Sequence, residues 1–210
     1  DGEYTITISA VDKAGNEAVA VHKLLKMTTD KVKPEVSITG VEEGEHYNTD
    51  KLVKVLSNDV NHDINTVTVT KDGKPYSIGE FDVNGRDALI NHNFSLEGEY
   101  EIALYSKDKA GNENRTSKKF TIDKTAPVIT PVFRGEGREI KDGEYINKIF
   151  TPEFKLDNEE DKFDFIILND KDVTDAVPMA SIEMVYKYSI QATDKAGNVT
   201  KKDITFTVDL

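Results

Sequence analysis

The tract Asp-Lys-Ala-Gly-Asn stands three times in the chain, at residues 12–16, 108–112 and 194–198. A tyrosine lies upstream of each tract at the same spacing: Tyr4, Tyr100 and Tyr186. Between tyrosine and aspartate the apolar residues alternate, as Tyr4/Ile6/Ile8/Ala10, Tyr100/Ile102/Leu104 and Tyr186/Tyr188/Ile190/Ala192. Period two predicts a half-buried strand running into a tight turn. One supersecondary unit used three times constrains the chain to an array of similar modules.

Composition narrows the class. An apolar share of 37% over 210 residues suits several small cores better than one large one. Charged residues make up 31% and no apolar run reaches spanning length, which argues against membrane insertion in this segment. A formal charge of −12 argues against a nucleic-acid partner, which needs a basic face. Cysteine is absent, which is compatible with a disulfide-free extracellular array. Residue 1 already falls inside a repeat, so the chain reads as a piece of something longer.

Two linkers mark the expected domain edges. Thr28-Thr29-Asp30-Lys31-Val32-Lys33-Pro34 parallels Thr121-Ile122-Asp123-Lys124-Thr125-Ala126-Pro127, and each precedes an apolar strand. Proline is tolerated at a strand's first position and pushes the residue before it to an extended shape, so both linkers should be short and stiff. The expected division is 1–30 as the last hairpin of a preceding repeat, then repeats at 31–123 and 124–210. Strands are expected near 35–39, 51–57, 65–71, 87–94, 99–107 and 114–122, and again near 128–133, 149–156, 162–169, 184–193 and 199–208. Asp72-Gly73, Asn84-Gly85 and Glu97-Gly98 are turn signals. Residues 170–180 form the least regular stretch, with room for one helical turn. About seven short antiparallel strands per unit describe tandem immunoglobulin-like β-sandwiches, an all-β fold, with Tyr100 placed to form a tyrosine corner.

The combination of Gly98-Glu99-Tyr100, Asp108-Lys109-Ala110-Gly111-Asn112 and Phe120-Thr121-Ile122-Asp123-Lys124-Thr125-Ala126-Pro127 resembles the bacterial immunoglobulin-like repeats of large cell-surface proteins and adhesins. The resemblance covers essentially the whole chain. It departs at Glu183-Met184-Val185-Tyr186, which replaces Gly-Glu-Tyr, and at Asp30-Lys31-Val32-Lys33-Pro34 in the first linker. It implies a non-catalytic extracellular segment at the cell surface or cell wall, with neighbouring repeats of the same chain as its partners.

The aspartates have two readings. Turn chemistry alone accounts for Asp-Lys-Ala-Gly-Asn: glycine takes the left-handed position and the carboxylate caps turn amides. The fold also brings the last hairpin loop, the entering linker and an early loop to one end of each sandwich. Asp30, Asp59, Asp63 and Asp108 would gather there in one repeat, and Asp123, Asp157, Asp161 and Asp194 in the next. Calcium takes six to eight hard oxygens, and some arrays of this resemblance use calcium at domain junctions. Lys31, Lys109, Lys124 and Lys195 follow four of these aspartates and offer neutralisation without a metal.

Nothing points to catalysis. His22, His46, His62 and His92 form no metal-binding helical motif, and neither a phosphate loop nor a serine nucleophile elbow is present. Sequons occur at Asn93, Asn114 and Asn198. A lysine–asparagine isopeptide bond needs a buried triad that sequence does not locate. The leading expectation is a stalk that spaces a functional tip from the surface. The alternatives are a module binding host protein or glycan, with Tyr47, Tyr76 and Tyr105 as contact candidates, and an accessory domain of a large secreted carbohydrate-active enzyme.

Overall fold

The computed structural model describes residues 2–5, 9–18 and 26–210, and among these there is no helix. The strands, in chain order, are β1 (Gly2–Thr5), β2 (Lys26–Thr29), β3 (Glu35–Thr39), β4 (His46–Tyr47), β5 (Lys51–Asn58), β6 (His62–Lys71), β7 (Lys74–Pro75), β8 (Asp82–Asn84) and β9 (Asp87–Phe94). They continue with β10 (Gly98–Asp108), β11 (Glu113–Ile122), β12 (Ile129–Phe133), β13 (Glu144–Ile146), β14 (Pro152–Leu156), β15 (Lys162–Leu168), β16 (Lys171–Asp172), β17 (Met184–Thr193) and β18 (Val199–Val208).

β1 pairs antiparallel with β2, Gly2 opposite Thr29 and Tyr4 opposite Met27. Ile6, Ile8 and His22 lie outside the described residues. The next strands form two sheets, ordered β3-β5-β9-β8 and β4-β11-β10-β6-β7. The last form β12-β14 and β13-β18-β17-β15-β16. The fold is all-β, in tandem immunoglobulin-like sandwiches. By packing, the chain divides into two compact units, residues through 41, 52–92 and 101–118 in one and 42–51, 93–100 and 119–210 in the other.

The alternation in the sequence fixes which faces are buried. On β10 Tyr100, Ile102, Leu104, Ser106 and Asp108 point inward, and on β17 Tyr186, Tyr188, Ile190 and Ala192 do. The long strands therefore seat the same aromatic pair in each sandwich. Tyr100 stacks on Phe120 with centroids 5.3 Å apart, and Tyr186 stacks on Phe206 at 5.2 Å. Each such ring contributes about 2–3 kcal/mol by burial, and the stacking adds about 0.5–1.5 kcal/mol.

Both tyrosine corners form. The Tyr100 hydroxyl donates to the Leu96 carbonyl at 2.8 Å, and the Tyr186 hydroxyl to the Ile182 carbonyl at 3.2 Å. The second forms although Gly-Glu is missing before Tyr186, because the bond reaches backbone four residues upstream and needs no particular side chain there. Each sandwich also carries one short parallel pairing. β4 lies beside β11, with His46 opposite Thr121, and β13 lies beside β18, with Tyr145 opposite Thr207.

The two sandwiches differ between β6 and β10 and between β15 and β17. In the first, β7, β8 and β9 fill the interval; in the second only β16 does. Residues 173–180 contain no helical turn. After β16 the chain turns at Val173, with the Ala176 amide donating to the Val173 carbonyl at 3.1 Å. It then touches Phe150 through an isolated bridge at Ala180.

Candidate functional site

The three Asp-Lys-Ala-Gly-Asn loops share one geometry. In the third, the Asn198 amide donates to Asp194 Oδ1 at 2.8 Å and Asn198 Nδ2 to Asp194 Oδ2 at 2.7 Å. In the second, the Asn112 amide and Nδ2 donate to Asp108 at 2.8 and 2.7 Å, and in the first Asn16 donates to Asp12 at the same two distances. Glycine closes each turn with positive φ, +86° at Gly15, +92° at Gly111 and +86° at Gly197, a conformation that opposes any side chain. A carboxylate clasping both the amide and the side chain of the residue four ahead accounts for the fixed Asp and Asn.

The asparagine then makes a further contact. Asn112 Nδ2 donates to the Asp30 carbonyl at 3.1 Å, and Asn198 Nδ2 to the Asp123 carbonyl at 2.8 Å. Each of those linker aspartates caps the amide two residues on: Asp30 Oδ1 accepts from Val32 at 2.9 Å and Asp123 Oδ1 from Thr125 at 3.0 Å. Both linkers are thus held to the last hairpin loop of the sandwich that follows them, despite their different sequences.

The eight aspartates proposed from sequence fall into two sets. Asp30, Asp59 and Asp108 sit around two asparagines: Asn61 donates its amide to Asp59 and its Nδ2 to Asp30, while Asn112 holds Asp108. Asp63 is exposed on β6. Burial pushes the fully enclosed Asp108 carboxyl up. Hydrogen bonds from the Asn112 side chain and from the amides of Asn112, Ala110 and Gly111 outweigh that and hold it below the usual carboxylate range.

In the second set Asp157 accepts from the Val128 amide at 2.7 Å. Asp161 is half-buried, and its carboxyl is pushed up by that burial and by the charges of Asp194, Asp157, Asp123 and Glu160. Two of the lysines reach elsewhere: Lys124 Nζ pairs with Asp50 at 2.5 Å and Lys195 Nζ with Glu160 at 2.6 Å. Among the described residues no group of three or more carboxylate or imidazole side chains is arranged to hold a metal ion.

A polar chain that the sequence reading missed crosses the first sandwich. Ser57 Oγ and Ser106 Oγ, both fully buried, lie 2.8 Å apart, and Ser106 Oγ donates to Asn65 Oδ1 at 2.8 Å. Asn65 Nδ2 faces His62 Nδ1 at 3.3 Å, and His62 Nε2 meets the Arg86 carbonyl. A carbonyl only accepts, so Nε2 carries the proton, Nδ1 accepts, and Ser57 donates at the far end. Alternation was the available signal, since Ser57 shares the inner face of Val53 and Val55. The second repeat has Ala192 at the place of Ser106 and lacks the chain.

The tyrosines proposed for exposed contact are occupied. Lys51 Nζ lies 3.9 Å over the Tyr47 ring, Tyr76 packs edge-on to His92 at 5.7 Å, and Arg115 covers Tyr105 at 4.7 Å. Among the tyrosines whose side chains are described, the exposed one is Tyr145, at 76%. Tyr188 is the opposite case: its ring is buried beside Phe154 and Phe206, and its hydroxyl has no hydrogen-bond partner among the described residues.

Comparison with known proteins gives two family matches. The bacterial Ig-like domain (group 3) model matches residues 89–184, and a further bacterial Ig-like domain model matches residues 49–124. Bacillopeptidase F of Bacillus subtilis (strain 168) is 28% identical over 158 residues, covering 74% of this chain and 10% of that protein. The chain therefore spans about a tenth of that relative's length. Among solved structures, fibronectin(III)-like modules of Clostridium thermocellum CbhA align over 83% of this chain and 94% of theirs at 12% identity and a TM-score of 0.37. The titin I-band fragment I67–I69 aligns over 85% of this chain and 66% of its own, at 13% identity and a TM-score of 0.41.

Proposed function

Because the chain belongs to the bacterial Ig-like domain family, we propose that it is a non-catalytic structural segment of an extracellular bacterial protein, holding a functional part of that protein away from the cell surface. The observation that carries this reading is the repeated tie between linker and loop, Asn112 to Asp30 and Asn198 to Asp123. A spacer needs connections of defined geometry, and here two linkers of different sequence are fastened in the same way. The net charge of −12 keeps such an array soluble.

The test is replacement within the parent protein. An unrelated pair of immunoglobulin-like sandwiches of equal length should preserve activity of the remote part, while deletion should impair it. Loss of activity in the replacement, with the protein still displayed, would mean that this segment recognises something itself.

A second reading, an accessory domain of a secreted enzyme, is favoured by the relative Bacillopeptidase F. It differs in one outcome: deleting the segment would then change turnover on a small soluble substrate, which a spacer leaves untouched.

A further inference from the structure

Among the described residues no strand pairs with the outer edge of β14. In the first sandwich the corresponding strand, β5, lies between β3 and β9. In the second, β12 and β14 are the whole sheet, because the interval that supplies β8 and β9 in the first repeat holds only β16 and an irregular segment in the second. The absent strand is replaced at one point, where Ala180 exchanges two backbone bonds with Phe150, at 2.8 and 3.3 Å.

The pairing with β12 decides which backbone groups face the open side. The Arg134 amide donates to the Thr151 carbonyl at 3.0 Å, and this pair lies in the register that sets Val132 opposite Glu153 and Thr130 opposite Lys155. Antiparallel pairs alternate between bonded and non-bonded, so Thr151, Glu153 and Lys155 turn their N–H and C=O toward β12. Pro152, Phe154 and Leu156 turn theirs outward, on the side where Phe150 meets Ala180. The edge therefore offers two N–H donors, at Phe154 and Leu156, and three carbonyls. An unpaired row of this kind is a template for another strand.

The sequence of β14 fits itself. Set two copies antiparallel with Phe154 opposite Phe154. The two Phe154 residues then exchange a pair of N–H···O bonds, and each Leu156 N–H meets the Pro152 carbonyl of the other copy. Proline has no N–H, so no donor is left unmatched, and Pro152 selects this register over its neighbours. On the outer face Glu153 of each copy then stands opposite Lys155 of the other, giving two cross-strand opposite-charge pairs. We propose that two copies of this chain associate through the open edge of β14, as a two-fold symmetric strand pair.

The test is sedimentation equilibrium on the 210-residue chain and two charge variants, with amide exchange at Phe154. Glu153 and Lys155 sit on the outer face, so Lys155→Glu and Glu153→Lys leave the core intact. Each variant alone sets like charges opposite one another twice and is expected to weaken association roughly tenfold or more. Mixing the two variants restores complementarity and should give a heterodimer, with the Phe154 amide protected again. A chain that stays monomeric with a fast-exchanging Phe154 amide overturns the proposal. So does a dimer indifferent to both charge changes, which associates elsewhere, or Phe154 protection in a monomer, which means that its own chain covers the edge.

Discussion

The Asn198 side-chain amide bridges two backbone-defining groups, the Asp194 carboxylate at 2.7 Å and the Asp123 carbonyl at 2.8 Å. One residue thereby closes a hairpin turn and fastens the linker that leads into its own sandwich. Asn112 does the same between Asp108 and Asp30.

Replacing this asparagine should separate its two roles. Asn198→Ala loses the side-chain bonds to the Asp194 carboxylate and the Asp123 carbonyl and a longer one to the Thr125 carbonyl at 3.4 Å, and is expected to cost about 2–3 kcal/mol in urea unfolding. Asn198→Asp should cost more, since it sets a second carboxylate against Asp194 and the Asp123 carbonyl. Equal effects of the two variants would show that the loop is held by its backbone alone.

Asp108 sets a pH dependence. Its folded carboxyl is held below the ordinary range, so its contribution is fully present above the unfolded value, about pH 4, and is lost as pH falls through the folded one. Asp108→Asn should therefore destabilise the chain at pH 7 and approach the parent's stability in acid. A loss that is the same at every pH would exclude the charge as the cause.

Asp161 has the opposite sign. Its carboxyl is raised by burial and by four neighbouring carboxylates, so its ionised form opposes folding above the folded value. Asp161→Asn is expected to raise Tm at pH 7, with the gain vanishing below the unfolded value. Calcium is expected to leave Tm unchanged, because Asp123, Asp157 and Asp194 each already serve a backbone amide. A calcium-dependent rise that chelator reverses and Asp161→Asn abolishes would instead make this carboxylate set a metal site.

Tyr188 stands where the first repeat has Ile102, and burial of its unpartnered hydroxyl raises its pKa. Tyr188→Phe removes a desolvated group and should be neutral or stabilising, whereas Tyr100→Phe breaks the bond to Leu96 and should cost about 1 kcal/mol. Parallel thermal melts of the two variants decide this; equal losses would mean that Tyr188 has a partner after all.

The repeated tripeptide Gly-Glu-Tyr marks how far local sequence reaches. At 98–100 it places Tyr100 in a corner with no exposure, while at 143–145 the same letters leave Tyr145 exposed at 76%. The difference is the strand that follows. Tyr100 opens the long β10 on its inner face, and Tyr145 lies in the three-residue β13 beside β18.

By itself the sequence determined the long strands, their inner faces, the turns and the family, because period-two alternation and positive-φ glycines are local properties; β4, β7, β8, β13 and β16, of two or three residues each, are too short to show an alternation. Tertiary structure alone decided that Asn112 and Asn198 reach linker carbonyls, that Asp161 feels four carboxylates, and that β14 has no outer neighbour among the described strands. Those depend on which distant segments the sheets bring together, and pairing between remote strands leaves no periodic trace in either partner.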